Sequence, residues 1–253
     1  MYNDLQGKVA LVTGGSFGIG RATILEYVKN KAKVAIADIN EAGAKSVADE
    51  VQKMGGEAIV VKTDVSKSKD VKAMVASVVD HYGRLDIAFN NAGIDLDHGY
   101  LADANEDMFD KLMGVNVKGV WLCLKYEIEQ MMKQGGGVIV NTASIAGVVS
   151  SPKMAIYGAT KHAVVGLTKT AAVEYGRKGI RVNSVCPGVI NTDMTTRALE
   201  KDPKLAQLAV RSHPIGRLGE AQDIANGVMY LSSEQSSFLL GHQLMIEGGF
   251  IAL

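Results

Sequence analysis

The sequence predicts a doubly wound α/β fold: a parallel sheet of seven strands covered by helices on both faces, in one domain spanning residues 1–253. Three observations predict it. Short β-branched apolar runs alternate with segments of helical period. A glycine-rich turn joins the first strand to the first helix. No Pro/Gly/Ser-rich linker, low-complexity tract or fixed-period repeat divides the chain.

The elements follow in order. "KVALVT" (8–13) is the kind of run a strand buried on both faces needs, and "GIGRATILEYVKN" continues with helical spacing. "KVAIAD" (33–38) leads to a helix from Asn40 to about Met54, ended by Gly55 and Gly56. "AIVVKTD" precedes a helix expected to be capped by Ser66. "LDIAFN" (85–90) and "GVIVNTA" (137–143) are strands separated by a long helical region from about Asn105 to Lys133. "MAIYGATKHAVVGL" reads as a helix, "IRVNSV" (180–185) follows it as a strand, and "HQLMIEGG" supplies the last strand. Residues 189–213, with Pro203 and a Met- and Leu-dotted polar stretch, are the least regular part; a substrate loop and a connecting helix pair fit them equally.

Composition narrows the function classes. Lys plus Arg equals Asp plus Glu at 27 each, so there is no basic excess for nucleic acid or an anionic membrane. Neither class of partner is expected. Cys123 and Cys186 lie far apart with no C-x-x-C spacing, which argues against a disulfide framework or zinc site and for a reducing compartment. The polar start "MYNDLQGK" and the lack of a long apolar run predict a cytoplasmic protein. His81, His98, His162, His213 and His242 show no ligand spacing, so no catalytic metal is expected.

The turn "TGGSFGIG" (13–20) allows positive φ and close backbone approach, while the helix behind it offers unpaired N–H groups to a pyrophosphate. Its spacing, Gly14-x-x-x-Gly18-x-Gly20, is a variant of the dinucleotide fingerprint. The same letters match a hydrolase nucleophile elbow at Ser16, but no earlier strand exists to supply a second oxyanion donor. Asp38 closes the second strand eighteen residues after Gly20, where a carboxylate accepts hydrogen bonds from ribose hydroxyls and repels a 2′-phosphate. Phe17 and Ile39 supply no cation to offset that repulsion, so NAD is expected over NADP.

Tyr157 and Lys161 are spaced to share one face of a helix. A nearby ammonium stabilises phenolate, which makes Tyr157 a candidate general acid/base. Ser144, ending the "GVIVNTAS" strand, is placed to hydrogen-bond the same substrate oxygen.

Together "TGGSFGIG", "NNAG" (90–93), "NVKGVW" from Asn116, "NTASIAG", "YGATK" and "PGVINT" (187–192) resemble the short-chain dehydrogenase/reductase family over essentially the whole chain. The resemblance implies a Rossmann-like fold, hydride transfer between a secondary alcohol or ketone and a nicotinamide cofactor, and a homotetramer. It implies Asn116 as a fourth catalytic residue beside Ser144, Tyr157 and Lys161. The cofactor would be held by Gly14, Ser16, Phe17, Gly18, Ile19 and Gly20, by Asp38 and Ile39, and by Asp64 and Val65 at the adenine. Asn91, Ala92 and Gly93, Tyr157 and Lys161, and Pro187, Gly188, Ile190 and Thr192 complete the set. Ile94, Asp95, Ala146, Val148, Met154, Val189 and Met194 are candidate substrate-pocket residues, mostly apolar, pointing to a small cyclic or aliphatic alcohol. The alternatives are an NADPH-dependent 3-oxoacyl-carrier-protein reductase and a non-catalytic NAD-binding protein.

Overall fold

The structure, a computed structural model, describes residues 2–97, 99–150, 152–192 and 203–252. Its strands are β1 (Val9–Thr13), β2 (Lys33–Asp38), β3 (Ala58–Lys62), β4 (Ile87–Asn90), β5 (Gly137–Thr142), β6 (Ile180–Pro187), β7 (Ile190–Asn191), β8 (Gly219–Glu220) and β9 (Gln243–Ile246). Seven of them form one sheet in the order β3-β2-β1-β4-β5-β6-β9. Every pairing in it is parallel. β7 and β8 make a separate two-stranded ribbon. The expected seven-stranded Rossmann-like sheet is therefore the one observed.

The helices are α1 (Gly18–Lys29), α2 (Glu41–Lys53), α3 (Ser68–Tyr82), α4 (Glu106–Leu112), α5 (Val120–Gln134), α6 (Ala155–Tyr175), α7 (Pro203–Arg211) and α8 (Ala221–Ser232). Because side chains alternate across a strand, β1 feeds two cores. Val9 and Leu11 pack with α3, α5 and α6 through residues such as Met74, Leu122 and Val164. Ala10 and Val12 pack with α1, α2 and α8 through Ile24, Val47 and Val228. Burial on both faces explains why these strands read as continuous apolar runs rather than alternating ones.

Local chemistry sets several helix ends. Asn40 accepts from Gly43 N at 3.1 Å to start α2, and Asn105 accepts from Asp107 N at 2.8 Å to start α4. Gly83 and Gly135 close α3 and α5 in left-handed conformation, φ 79° and 87°. One expectation needs correction. Ser66 does not cap α3: its N–H and hydroxyl both turn back to Asp64 Oδ1, at 3.1 and 2.6 Å, so α3 starts at Ser68. The long helical region expected from about Asn105 to Lys133 is observed over residues 106–134, with Met113–Gly119 forming a π-helical turn between α4 and α5.

Strand order reverses between β1, which leads outward to β2 and β3, and β4, which leads to β5 and β6. In sheets of this topology ligands bind in the crevice at the carboxyl ends of the strands that flank this switch point.

Candidate active site

On the β1 side of the crevice the glycine turn is packed too closely for side chains. Gly14 has φ 65°, and a Cβ on it would lie 2.9 Å from Ala92 Cα. A Cβ on Gly20 would lie 2.0 Å from Gly14 O. Asn91 locks the turn to the segment after β4, its amide donating to Thr13 O at 3.2 Å and Gly14 O at 3.1 Å. The N–H groups of Asn91 and Ala92 both donate to Thr13 Oγ1, at 3.0 and 3.1 Å. α1 begins behind Phe17 with no side-chain cap and no acid in its first turn, leaving its N–H groups and positive end open to a phosphate.

Asp38 is buried at the end of β2 and organises this half. Its Oδ2 accepts from Ser16 N at 3.0 Å and its Oδ1 from Asn40 N at 2.8 Å. Ser16 returns its hydroxyl to Asn40 O at 3.0 Å. Phe17 and Ile39 stand exposed at the rim. Beyond them Ile39, Lys62, Asp64, Lys67, Asp70 and Ala73 line a depression of about 370 Å³. Asp64 is held below the usual carboxylate range, chiefly by Ser66, with Lys67 Nζ 3.2 Å away. Val65 is buried against Gly119. Sequence reasoning missed Lys62, which pairs in register with Asp38 across β2 and β3; only the register shows it. An uncapped helix end, a cradle that any Cβ would fill and a strand-end carboxylate fit a dinucleotide.

The β4–β6 side works through side chains. Ser144 lies just beyond β5 with extended backbone, and its Oγ accepts from Ala146 N at 3.1 Å. Tyr157 is the third residue of α6 and Lys161 follows one turn later, its Nζ 5.5 Å from the Tyr157 ring centroid. Lys161 Nζ donates to Thr142 O at 2.8 Å. Burial pushes Lys161 down to about 8, with Cys186 and Asp95 pulling the other way. Burial and Asp95 push the Tyr157 phenol above its ordinary value, opposed by a hydrogen bond with Ser144. In the protein by itself, then, Lys161 does not depress Tyr157 as the helical spacing suggests.

Asn116 projects from the π-helical turn and is buried. Its Oδ1 accepts from Ile94 N at 2.9 Å, and its Nδ2 donates to Ile94 O at 2.8 Å and Thr160 Oγ1 at 3.2 Å. A Cβ on Gly93 would lie 3.3 Å from Asn116 Oδ1 and 3.7 Å from Lys161 Nζ, so the three meet at one point. On the third wall, Gly188 N donates to Ile246 O at 3.0 Å, and Thr192 Cγ2 would lie 3.3 Å from a Cβ on Gly18. Ile190 is buried and pairs with Gly219.

Among the pocket candidates, Ile94, Asp95, Val148, Met154 and Val189 are half-buried. Ala146 is buried. Met194 lies outside the described residues. Two anchoring residues escaped sequence reasoning. Val189 N donates to His213 Nε2 at 3.2 Å, while His213 Nδ1 bonds Ala209 O at 2.7 Å, so a buried histidine ties this wall to α7. Asp97, buried, accepts at Oδ2 from Ile156 N and Tyr157 N, at 2.6 and 3.3 Å. Both partners are remote in sequence, and no local spacing marks either residue.

Comparisons with known proteins agree with this geometry. The family profile described as enoyl-(acyl carrier protein) reductase matches residues 14–251. The 2,5-dichloro-2,5-cyclohexadiene-1,4-diol dehydrogenase of Sphingobium indicum is 44% identical over 252 residues, 99% of this chain and 100% of that protein. The chain belongs to the short-chain dehydrogenase/reductase family. Among other members, the cyclohexanol dehydrogenase of an Acinetobacter species is 39% identical over 250 residues, covering 99% of this chain and 97% of the relative. A 3-oxoacyl-[acyl-carrier-protein] reductase of Thermotoga maritima is 36% identical over 247 residues, covering 98% and 99%. The structure of NAD+-bound xylitol dehydrogenase superposes with a TM-score of 0.94 at 37% identity, covering 97% of this chain and 99% of that one. ElxO with NADP bound does so at 0.91 and 35%, covering 98% and 100%. Short-chain dehydrogenase/reductase membership makes this chain a nicotinamide-dependent oxidoreductase of small molecules. No helix among the described residues is long and apolar enough to cross a membrane.

Proposed function

We propose that this protein is an NAD-dependent dehydrogenase of cyclic secondary alcohols, interconverting the alcohol and its ketone. The observation that carries the reading is the meeting of Tyr157, Lys161 and Ser144 beside a glycine cradle closed by Asp38. Bound NAD supplies the hydride acceptor. Gly14 to Gly20, Asp38, Asp64 and Val65 hold its adenosine and pyrophosphate, and Asn91 to Gly93 and Pro187 to Thr192 flank the rest. Ser144 Oγ and the Tyr157 phenol bind the substrate oxygen. Tyr157 takes the hydroxyl proton in oxidation and returns it in reduction. Lys161, a cation at neutral pH, would orient the ribose, and together with the positive charge of an oxidised nicotinamide it would lower the phenol from the raised value it has in the protein by itself; Asn116 holds the segment through Ile94 against it.

Two supports favour NAD. The Asp38 carboxylate occupies the ribose end, and the residues at the rim beside it, Phe17 and Ile39, are apolar. The relatives named for cyclohexanol and a cyclohexadiene diol, with the apolar Ile94, Met154 and Val189, favour a small ring as substrate. Exposed Phe109, Trp121 and Val173 on α4, α5 and α6 support a homotetramer, and two buried free thiols support a cytoplasmic location.

The raised Tyr157 phenol gives a sign: it is the proton donor over most of the accessible pH range, so oxidation accelerates as pH rises while ketone reduction is favoured at lower pH. Tyr157→Phe should cut turnover of cyclohexanol with NAD by about 10³-fold while leaving NADH binding intact. Full activity in that variant sinks the mechanism. Side-by-side fluorescence titration with NADH and NADPH tests the cofactor: preference for NADPH, with turnover of a 3-oxoacyl thioester, replaces this reading with the carrier-protein reductase.

A further inference from the structure

Helix α6 carries both Tyr157 and Lys161, yet it begins without a cap of its own. Met154 precedes it and offers no side-chain acceptor, and the first turn holds no acid. The chain enters it through Lys153 in left-handed conformation, φ 65°. The N–H groups of Ile156 and Tyr157 therefore need an acceptor from elsewhere. Asp97 supplies it from 59 and 60 residues upstream, with one carboxylate oxygen 2.6 Å from Ile156 N and 3.3 Å from Tyr157 N. These are the two N–H groups that a local capping side chain ordinarily serves.

The segment carrying Asp97 is itself held. Asn116 brackets Ile94 at both its N–H and carbonyl, and Asp97 N donates to Asp95 Oδ1 at 3.3 Å. From Asn116 a second path runs through Thr160 Oγ1, which donates to Tyr157 O at 2.7 Å. Tyr157 is thus fixed at both polar atoms of its main chain: its N–H by Asp97 and its carbonyl by Thr160. The two paths rejoin at Asn116 and close a ring around the proton-transfer residue. A carboxylate only 2% exposed cannot release these donors without a large desolvation cost, so the ring is stiff.

We propose that Asp97 is a positioning residue for the reaction: by capping α6 from the segment after β4, it fixes the Tyr157 main chain and so aims the phenol at the oxygen shared with Ser144. The inference rests on the reading of Tyr157 as the proton-transfer group. A group displaced by about 1 Å loses on the order of 10²-fold in rate, so the aim has kinetic weight. A mere stabilising cap would lower the melting temperature and leave kcat alone.

The test is kinetics of Asp97→Ala, Asp97→Asn and Asp97→Glu with cyclohexanol and NAD, with Tyr157→Phe beside them and hydrogen exchange read at the Ile156 and Tyr157 amides. Asp97→Ala should lower kcat by about tenfold or more, keep KM and NADH affinity within about threefold, and speed exchange at both amides. Asp97→Asn, which presents the same acceptor, should retain kcat within about threefold. Asp97→Glu keeps the charge but shifts the oxygens by one methylene; it should lose several-fold in kcat, and it serves if the alanine variant does not fold. Wild-type kcat in Asp97→Ala or Asp97→Glu overturns the inference, as does an Asp97→Asn variant as slow as the alanine one. So does loss of NADH affinity in step with activity. An active Tyr157→Phe, or a wild type inert towards cyclohexanol, instead removes the underlying reading, and amide exchange still reports whether the cap exists.

Discussion

The two sides of the crevice achieve placement by opposite means. Around β1 and β2 the site depends on atoms that are missing: Gly14 and Gly20 let backbone meet backbone at distances that exclude a Cβ, and an uncapped α1 leaves N–H groups open. Around β4 to β6 it depends on side chains that are present, each aimed by a partner remote in sequence, as Lys161 is by Thr142 O, Ile94 by Asn116 and Tyr157 by Asp97. Binding and turnover should therefore fail separately: adding one carbon on the first side costs cofactor affinity, while removing one functional group on the second costs rate.

The largest effect is expected from Lys161→Met, which replaces the chain by an apolar one a single atom shorter and removes its charge. The ammonium is buried and destabilised, so an apolar replacement should leave thermal stability equal or higher while kcat falls by about 10³-fold. Wild-type turnover in that variant would place proton transfer elsewhere. Gly20→Ala comes next. Its Cβ would meet Gly14 O at 2.0 Å, a backbone atom that cannot rotate away, so the turn must open. NADH affinity should drop about tenfold or more, and the melting temperature should fall as well. Unchanged affinity in a calorimetric titration would show that the cradle is not where the cofactor sits.

The contrast also explains what was legible. The five inner strands could be read because burial on both faces writes them as apolar runs, the half-buried edge strands β3 and β9 because they are apolar too, and the glycine turn because missing side chains leave a local pattern. Tyr157 and Lys161 were visible together because one helix spaces them. Asp97 and His213 were not, since Ile156, Tyr157 and Val189 give no hint in sequence that their N–H groups need outside acceptors. Asp95 is named in sequence as a candidate pocket residue, yet the acid two residues on is the one that caps α6. The π-helical turn at Met113–Gly119 was hidden too, because its residues suit an ordinary helix and only the bonds of Asn116 to Ile94 and Thr160 show what its altered register serves.

The smallest effect on activity, and the sharpest on stability, concerns a residue below the site. Glu127 on α5 is fully buried. Its Oε2 accepts from Asn90 Nδ2 at 2.9 Å, and the same amide donates to Asn141 Oδ1 at 3.0 Å. Glu127 Oε1 and Asn90 Oδ1 have no hydrogen-bond partner among the described residues, so a proton on the carboxyl removes a buried charge and adds a donor where acceptors are in excess. Burial accordingly raises Glu127 from its ordinary 4.5 to about 8. Because the folded form holds its proton more tightly than the unfolded chain, this stabilisation is complete below about pH 4.5 and is lost as pH rises to about 8. Within that window its contribution should fall by about 1.4 kcal/mol per pH unit. Lys161 does not confuse the measurement: its depressed value of about 8 against 10.5 changes stability only above that pH, and in the opposite direction. Urea denaturation at about pH 6 and about pH 8 should show wild type losing stability and Glu127→Gln losing much less, because glutamine carries a donor at every pH. Equal slopes for the two proteins would mean that Glu127 is ionised in the fold, and that the layer beneath α6 holds a charge after all.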